Sequence, residues 1–192
     1  MVFLILGLII FLGLHSVRIV ADDWRTAQIA ARGANTWKGL YSLASAVGLG
    51  LIVWGYASAR GQPAVLWDAP TWARHLAPPL TLAAFIFLAA AYVPRNSIKA
   101  RLHHPMVLGI KVWAFAHLLA NNTLADLLLF GGFFLWAVFN FRSARGRDRA
   151  AGTVYPAGTL AATLLAVAVG IGAWLVFAAW LHRLVIGVPA FR

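Results

Sequence analysis

The chain has 192 residues, 62% of them hydrophobic, with a mean hydropathy of +0.80 and a formal net charge of +11. Soluble domains are usually only about 45–50% apolar, so the composition predicts an integral membrane protein. The absence of cysteine and glutamate excludes disulfides, thiolate ligands and Fe–S clusters, and it disfavours carboxylate-rich metal cages. The basic residues lie between apolar segments, as topology and anionic lipid require, and do not form a nucleic-acid surface.

Hydropathy predicts an all-α polytopic bundle of about six transmembrane helices, forming a single domain over residues 1–192. The first span covers residues 1–20 and should be retained, because it has no basic n-region and no small-residue cleavage site. Each span is close to the ~20 residues that cross a bilayer. The later spans are predicted near residues 40–58, 76–93, 105–120, 127–141 and 159–184.

The segments between the spans carry turn and cap signals. Pro78 and Pro79 are expected in the first turns of the third helix, where missing amide donors cost least. The stretch RNSIKARLHH is expected to be a loop, and Asp126 is expected to be the N-cap of the fifth helix, after a tight turn. The basic stretch RSARGRDRAAGTVYPAG is expected to be a loop that determines topology and contacts anionic lipid.

The distribution of basic residues predicts the orientation. With the N-terminus outside, the inner loops carry eleven basic residues and the outer segments carry four. This bias puts both termini on the non-cytoplasmic side. The inner residues are Arg18, Arg25, Arg32, Lys38, Arg95, Lys99, Arg101, Arg142, Arg145, Arg147 and Arg149, and the outer ones are Arg60, Arg74, Arg183 and Arg192.

The stretch RLHHPMVLGIKVWAFAHLLANNT places histidines and a lysine in and beside an apolar segment. Ionisable groups at membrane depth are costly, so His117 and Lys111 are candidates for a functional site. Gly109, Trp113 and His117 recur every four residues and form an inward stripe that suits a flat cofactor. A histidine bonded to a neighbouring helix explains the pattern equally well. Lys111 is expected to snorkel or to pair with Asp126, and a role in holding a propionate is the alternative.

His15, on the first helix, is the second candidate ligand. Two imidazoles from different helices can hold haem iron, and a chain without cysteine has histidine as its default axial ligand. His104 competes for this role, although as part of an His-Pro pair it can instead cap the fourth helix. Counting residues puts His15 roughly 14 residues, or ~21 Å, below the outer end of its helix, whereas His117 lies near its own outer end. This mismatch in depth weighs against a shared iron.

Three other histidines fit simpler roles. His75 and His182 are predicted at the outer ends of spans, where water at the interface solvates them. His103 is expected to be a loop residue.

Four stretches carry a family resemblance: GLIIFLGLHSVRI, WKGLYSLASAVGLGLIVWGY, FLAAAYVPRNSIKA and HHPMVLGIKVWAFAHLLANNTLADLLLFGGFFLWA. Over most of its length the chain resembles the NnrU family of bacterial membrane proteins. The resemblance implies a link to denitrification, through expression or assembly of nitrite and nitric oxide reduction. Together with the charge bias, it implies a multi-pass protein of the bacterial inner membrane whose termini are periplasmic.

The same domain is similar to the 15-cis-zeta-carotene isomerases of plants and cyanobacteria, which are membrane enzymes that use haem b. This similarity implies haem b as cofactor, with His15 and His117 as the iron ligands and His104 in the matching His-Pro motif. The isomerases carry a cysteine where this chain has Ala114. The substitution weakens the case for isomerase activity but leaves haem binding open.

Three functional hypotheses follow. The first is a haem b-binding membrane protein linked to denitrification, with nitric oxide as a possible ligand. The second is a haem-dependent, isomerase-like enzyme acting on a hydrophobic small molecule, and the third is an accessory or transport protein without haem. Beyond the histidines and Lys111, no residue offers a general acid or nucleophile at membrane depth, so whether the protein is an enzyme stays open.

Overall fold

The computed structural model describes residues 1–190, which form a bundle of α-helices without a β-strand. This confirms the all-α fold class. A π-helical turn at Phe177–Leu181 joins the last two helices. The α-helices of the described chain are α1 (Val2–Val20), α2 (Asp22–Arg32), α3 (Ala34–Arg60), α4 (Thr71–Tyr92), α5 (Ser97–Leu102), α6 (Pro105–Ala120), α7 (Leu124–Ala150), α8 (Leu160–Val176) and α9 (His182–Ile186).

Five helical segments in the described chain are long and apolar enough to cross a membrane: α1, α3, α4, α7 and the continuous segment Leu160–Ile186. The sixth predicted span, α6, is apolar but has only 16 residues. At 1.5 Å per residue it extends ~24 Å, which is less than the ~30 Å of a bilayer core. The six predicted spans therefore correspond to five full-length helices and one short helix.

Several predicted boundaries were wrong because hydropathy marks where apolar sequence ends, whereas the helix continues. α7 runs through the first half of the basic stretch that was expected to be a loop and ends at Ala150, since arginine and alanine favour helix; the rest of that stretch is a loop. The expected loop RNSIKARLHH contains α5. α4 already begins at Thr71, so Pro78 and Pro79 lie inside the helix and not in its first turn.

The start of α7 is fixed by a reciprocal capping interaction. The Thr123 hydroxyl accepts a hydrogen bond from the Asp126 amide (3.2 Å), and the Asp126 carboxylate accepts one from the Thr123 amide (3.0 Å). Together they satisfy two of the amides that a helix N-terminus leaves unpaired. The prediction that Asp126 is the N-cap was therefore wrong, because Thr123 is the N-cap and Asp126 lies three residues further on.

Backbone hydrogen bonds hold the loops at both ends of the bundle. We call the end where α1 finishes and α6 begins the basic end, and the end where α6 finishes and α7 begins the opposite end. At the opposite end the Leu66 amide donates to the Asn122 carbonyl (2.8 Å), and at the basic end the Thr159 amide donates to the Arg95 carbonyl (2.8 Å). The loops are thus tied across helices that are distant in sequence.

Glycines allow the helices to approach each other closely. A Cβ atom at Gly55 of α3 would lie 2.2 Å from the Leu4 amide nitrogen of α1, and one at Gly109 of α6 would lie 2.9 Å from the Ala84 carbonyl oxygen of α4. Lipid supplies no hydrophobic force between helices, so close packing of small residues drives their association. Larger residues at these two positions would push the helix pairs apart.

We expect Gly55→Ala to destabilise the protein by ~1–3 kcal/mol, because the new methyl group has no room beside α1. Gly50→Ala is the matched control on the same helix, since a Cβ atom there meets nothing within 4 Å; it should be neutral or stabilise by up to ~1 kcal/mol. Thermal unfolding of both variants in detergent tests this. Equal effects of the two substitutions would contradict the packing of α1 on α3.

Candidate functional site

His15 is half-buried in the interior and is held by its own helix. Its Nδ1 lies 2.7 Å from the Phe11 carbonyl oxygen. A carbonyl only accepts, so Nδ1 carries the proton and donates, which leaves the Nε2 lone pair available. The ring stacks on Phe11 at 4.2 Å between centroids, and it also contacts Tyr41 at 5.2 Å and Trp136 at 6.1 Å.

His117 has the same arrangement on α6. Its Nδ1 donates to the Trp113 carbonyl at 2.9 Å, so in the neutral tautomer Nε2 carries the lone pair here too. The ring packs against Phe130 of α7 at 4.5 Å and against Trp113 at 5.2 Å. Trp113 and His117 thus lie on the same face of α6, as their spacing of four residues predicts. A histidine that binds a metal through one ring nitrogen usually donates a hydrogen bond from its other ring nitrogen to a carbonyl or carboxylate. The same hydrogen bond is equally compatible with a histidine that binds no metal.

A row of aromatic rings connects the two histidines. Phe11, which stacks on His15, lies 5.8 Å from Phe133; Phe133 lies 5.7 Å from Trp113, which contacts His117. The imidazoles also touch α7 at different depths, since their partners Trp136 and Phe130 are six residues, or ~9 Å, apart on that helix. The described structure therefore places both histidines along one aromatic row without bringing their rings into contact.

A buried carboxylate lies near His117 at the opposite end. Asp126 is 6% exposed, and its Oδ1 accepts a hydrogen bond from the Tyr56 hydroxyl of α3 at 2.5 Å. Its Oδ2 accepts bonds from the Thr123 amide and hydroxyl. The carboxylate thus links α3 to α7 and finds the partners that a buried charge requires.

Lys111 does not pair with Asp126. In the described chain it forms no ion pair, and its Nζ lies 5.6 Å from the centre of the Phe141 ring, toward the basic end. The alternative of a Lys111–Asp126 pair was therefore wrong. The position over Phe141 agrees with snorkelling, in which the ammonium group extends toward the membrane surface.

His104 lies at the basic end, in a polar cluster around Asp148. The His104 Nε2 lies 2.8 Å from Asp148 Oδ2, and the Tyr155 hydroxyl donates to the same oxygen at 3.0 Å. His103 lies 3.7 Å from that oxygen, and Arg145 contacts its Nδ1. Burial and the hydrogen bond to Asp148 raise the pKa of Tyr155 above its ordinary value. His104 occupies the N-cap position of α6, but its side chain makes no cap bond.

Neither of two cavities in the described chain, one apolar and one polar, is lined by His15 or His117. An apolar cavity of about 550 Å³ lies among α1, α2 and α3, with Leu14 and Tyr41 in its wall. A polar cavity of about 400 Å³ lies at the basic end. Within residues 1–190 no three histidine, aspartate, glutamate or cysteine side chains are arranged to hold a metal ion.

Comparison with known proteins agrees with the sequence resemblance. The family model described as NnrU protein matches residues 3–190. The chain belongs to the NnrU family. No curated protein and no solved structure matches it. Family membership is thus shown, whereas the relation to carotene isomerases stays a prediction.

Sequence reasoning about this NnrU chain missed the partners of Asp126 and Asp148. Tyr56 and Asp126 are 70 residues apart, and His104 and Asp148 are 44 apart, so no local pattern connects them. The available signal was that each aspartate is a lone acid, one at the start of an apolar helix and one in a basic run. Such acids need a partner, but the sequence does not say which one.

We expect Tyr56→Phe to destabilise the NnrU chain by ~1–3 kcal/mol, because it leaves one oxygen of the buried Asp126 unpaired. Tyr92→Phe removes the same hydroxyl from a tyrosine that is 76% exposed and should change stability by less than ~0.5 kcal/mol. Thermal unfolding in detergent compares the two. Equal stability of both variants would show that the bond to Asp126 contributes nothing.

Proposed function

We propose that this NnrU protein binds haem b inside the membrane and serves denitrification, in support of nitrite and nitric oxide reduction. One observation carries the proposal. The intramembrane histidines His15 and His117 each donate from Nδ1 to a carbonyl of their own helix and leave Nε2 free. Haem iron in membrane helices is commonly held by such imidazoles. The link to denitrification rests on the family and not on the site.

The same criterion favours His117 over His104 as the second ligand. The Nε2 atom of His104 is already bonded to Asp148. His104 also lies 13 residues, or ~20 Å along α6, from His117. The iron of a haem near the aromatic row would therefore be bound by His15 or His117.

Each histidine by itself is suited to bind iron. The present arrangement of the aromatic rings, however, does not allow both histidines to bind the same iron. The side chains of Phe11, Phe133 and Trp113 lie along the row between the imidazoles. A shared iron requires these rings to move aside, whereas a haem held by one histidine requires less rearrangement. Separate substitution of the two histidines distinguishes these arrangements.

The neighbouring residues suggest how the protein would hold the group. Trp113 presents an indole beside His117, which suits contact with a flat macrocycle. The ammonium of Lys111, which has no acidic partner in the described chain, would pair with a propionate. The surrounding phenylalanines would exclude water. Bound haem b would supply one-electron chemistry and a site for a diatomic ligand such as nitric oxide.

Optical spectra of the purified protein, produced with ample haem, test the proposal. We expect a Soret band that shifts on reduction and again on addition of nitric oxide. His117→Ala and His15→Ala should each alter the spectrum if both histidines bind iron, whereas only one of them should do so if one histidine binds it. His75→Ala is the matched control, because His75 is exposed at the start of α4.

Two results would contradict haem binding at this site. One is a colourless protein, which would favour an accessory or transport role. The other is a wild-type spectrum in both histidine variants, which would move the search for the ligand to His104.

The apolar cavity favours a second candidate function, isomerase-like chemistry on a hydrophobic small molecule. Its wall includes Tyr41, whose ring also contacts His15. A ligand in this cavity would therefore lie one side chain away from a candidate haem ligand. The alanine at position 114, which is fully buried, lacks the thiol of the carotene isomerases, so this function ranks second.

We also propose the bacterial inner membrane as the location, with both termini in the periplasm. The proposal rests on the excess of basic residues at one end of the bundle. A reporter that is active only in the periplasm, fused after Arg192, should be active. Activity of a cytoplasmic reporter at the same position would mean that α6 does not cross the membrane.

A further inference from the structure

The polar cavity at the basic end is the strongest site that the haem proposal does not use. It has a volume of about 400 Å³ and lies between the ends of α1, α6 and α7, within the roughly 300–1,000 Å³ usual for ligand pockets. Its polar wall consists of Arg18, His104, Asn140, Arg147, Asp148 and Thr153.

Arg147 is the most informative residue of this wall. It is half-buried, and one terminal nitrogen of its guanidinium donates to the Arg18 carbonyl (3.3 Å) and the Ser143 hydroxyl (2.7 Å). These bonds hold the side chain in place, but they leave donors on its other two nitrogens. In the described chain it forms no ion pair with a carboxylate. Arg147 is therefore an oriented cation without an anion.

The nearby carboxylates have partners other than Arg147. The Oδ2 atom of Asp148 accepts a hydrogen bond from the Tyr155 hydroxyl and lies within hydrogen-bond distance of His104 Nε2. Asp22 lies 3.8 Å from Arg18 and 3.5 Å from Arg25. The Arg18 side chain is more than half exposed, so its pair with Asp22 is loose. Arg147 therefore has room for an anionic partner from outside the described chain.

We propose that this cavity binds a phosphate group. The planar fork of Arg147 matches two phosphate oxygens, and Arg18 supplies a second guanidinium. The Asn140 amide and the Thr153 hydroxyl add neutral donors in the same wall. The carboxylate of Asp148 opposes an anion, and its bonds to His104 and Tyr155 reduce that repulsion. Basic pockets at the cytoplasmic side of transmembrane helices bind anionic headgroups, and a soluble phosphate offers the same chemistry.

The test uses the full chain in micelles of a neutral, phosphate-free detergent such as dodecyl maltoside, with increasing phosphatidylglycerol in one series and added inorganic phosphate in another. Thermal unfolding is followed by the fluorescence of its nine tryptophans. We compare Arg147→Gln with Arg149→Gln, which removes the same charge from an exposed residue of the same helix. The unfolding temperature of the wild type and of Arg149→Gln should rise with phosphate-bearing ligand. Arg147→Gln should need about tenfold more of it.

The two series distinguish the sources of phosphate. A response to phosphatidylglycerol alone supports a lipid headgroup, and a response to inorganic phosphate in micelles without phospholipid supports a soluble ligand. No response in either series, or equal loss in the two arginine variants, overturns the proposal. If Arg147→Gln does not fold, Asn140→Leu replaces it and keeps both arginines. An unchanged response of that variant likewise overturns the proposal.

Discussion

The arrangement of this membrane protein depends on how closely its helices approach each other. In lipid the helices gain nothing by burying apolar surface, so association rests on packing, and glycine permits the closest packing. Gly55 brings α3 onto α1, and Gly109 brings α6 onto α4. α7 then lies against both α1 and α6. The row of rings from His15 to His117 crosses α7 at Phe133, so it exists only because these helix pairs are packed tightly.

Polar groups are sorted along the bundle by the cost of burying them. The two lone aspartates that face other helices lie near the ends, where Asp126 bonds Tyr56 and Asp148 bonds His104 and Tyr155. Between these ends the interior contains aromatic rings and the imidazoles of His15 and His117. A neutral histidine with one bond to its own helix costs far less at membrane depth than a carboxylate does. The middle of the bundle is thus suited to a neutral ligand donor and unsuited to acid–base chemistry.

The sequence predicted the number and order of the apolar segments, because hydropathy responds directly to the membrane. It predicted that Trp113 and His117 share a helix face, because residues four apart lie on one side of a helix, and their rings do contact each other. It did not predict that α7 continues to Ala150, since a helix can extend into water beyond its apolar part. Nor could it find the Tyr56–Asp126 bond, which depends on how helices distant in sequence meet. The depth mismatch inferred by counting residues reappears in the different α7 partners of the two histidines.

At the basic end, the structure shows that the arginines of the chain differ in their surroundings. A net charge of +11 would by itself indicate only topology and attraction to anionic lipid. The structure separates exposed arginines such as Arg149, which any water layer can solvate, from Arg147, which is bonded to neighbouring atoms and partly removed from water. Fixing a guanidinium loses side-chain entropy, and partial burial raises its electrostatic cost. No carboxylate of the described chain forms an ion pair with Arg147, so an anion bound in the cavity, as we propose, would offset part of both costs.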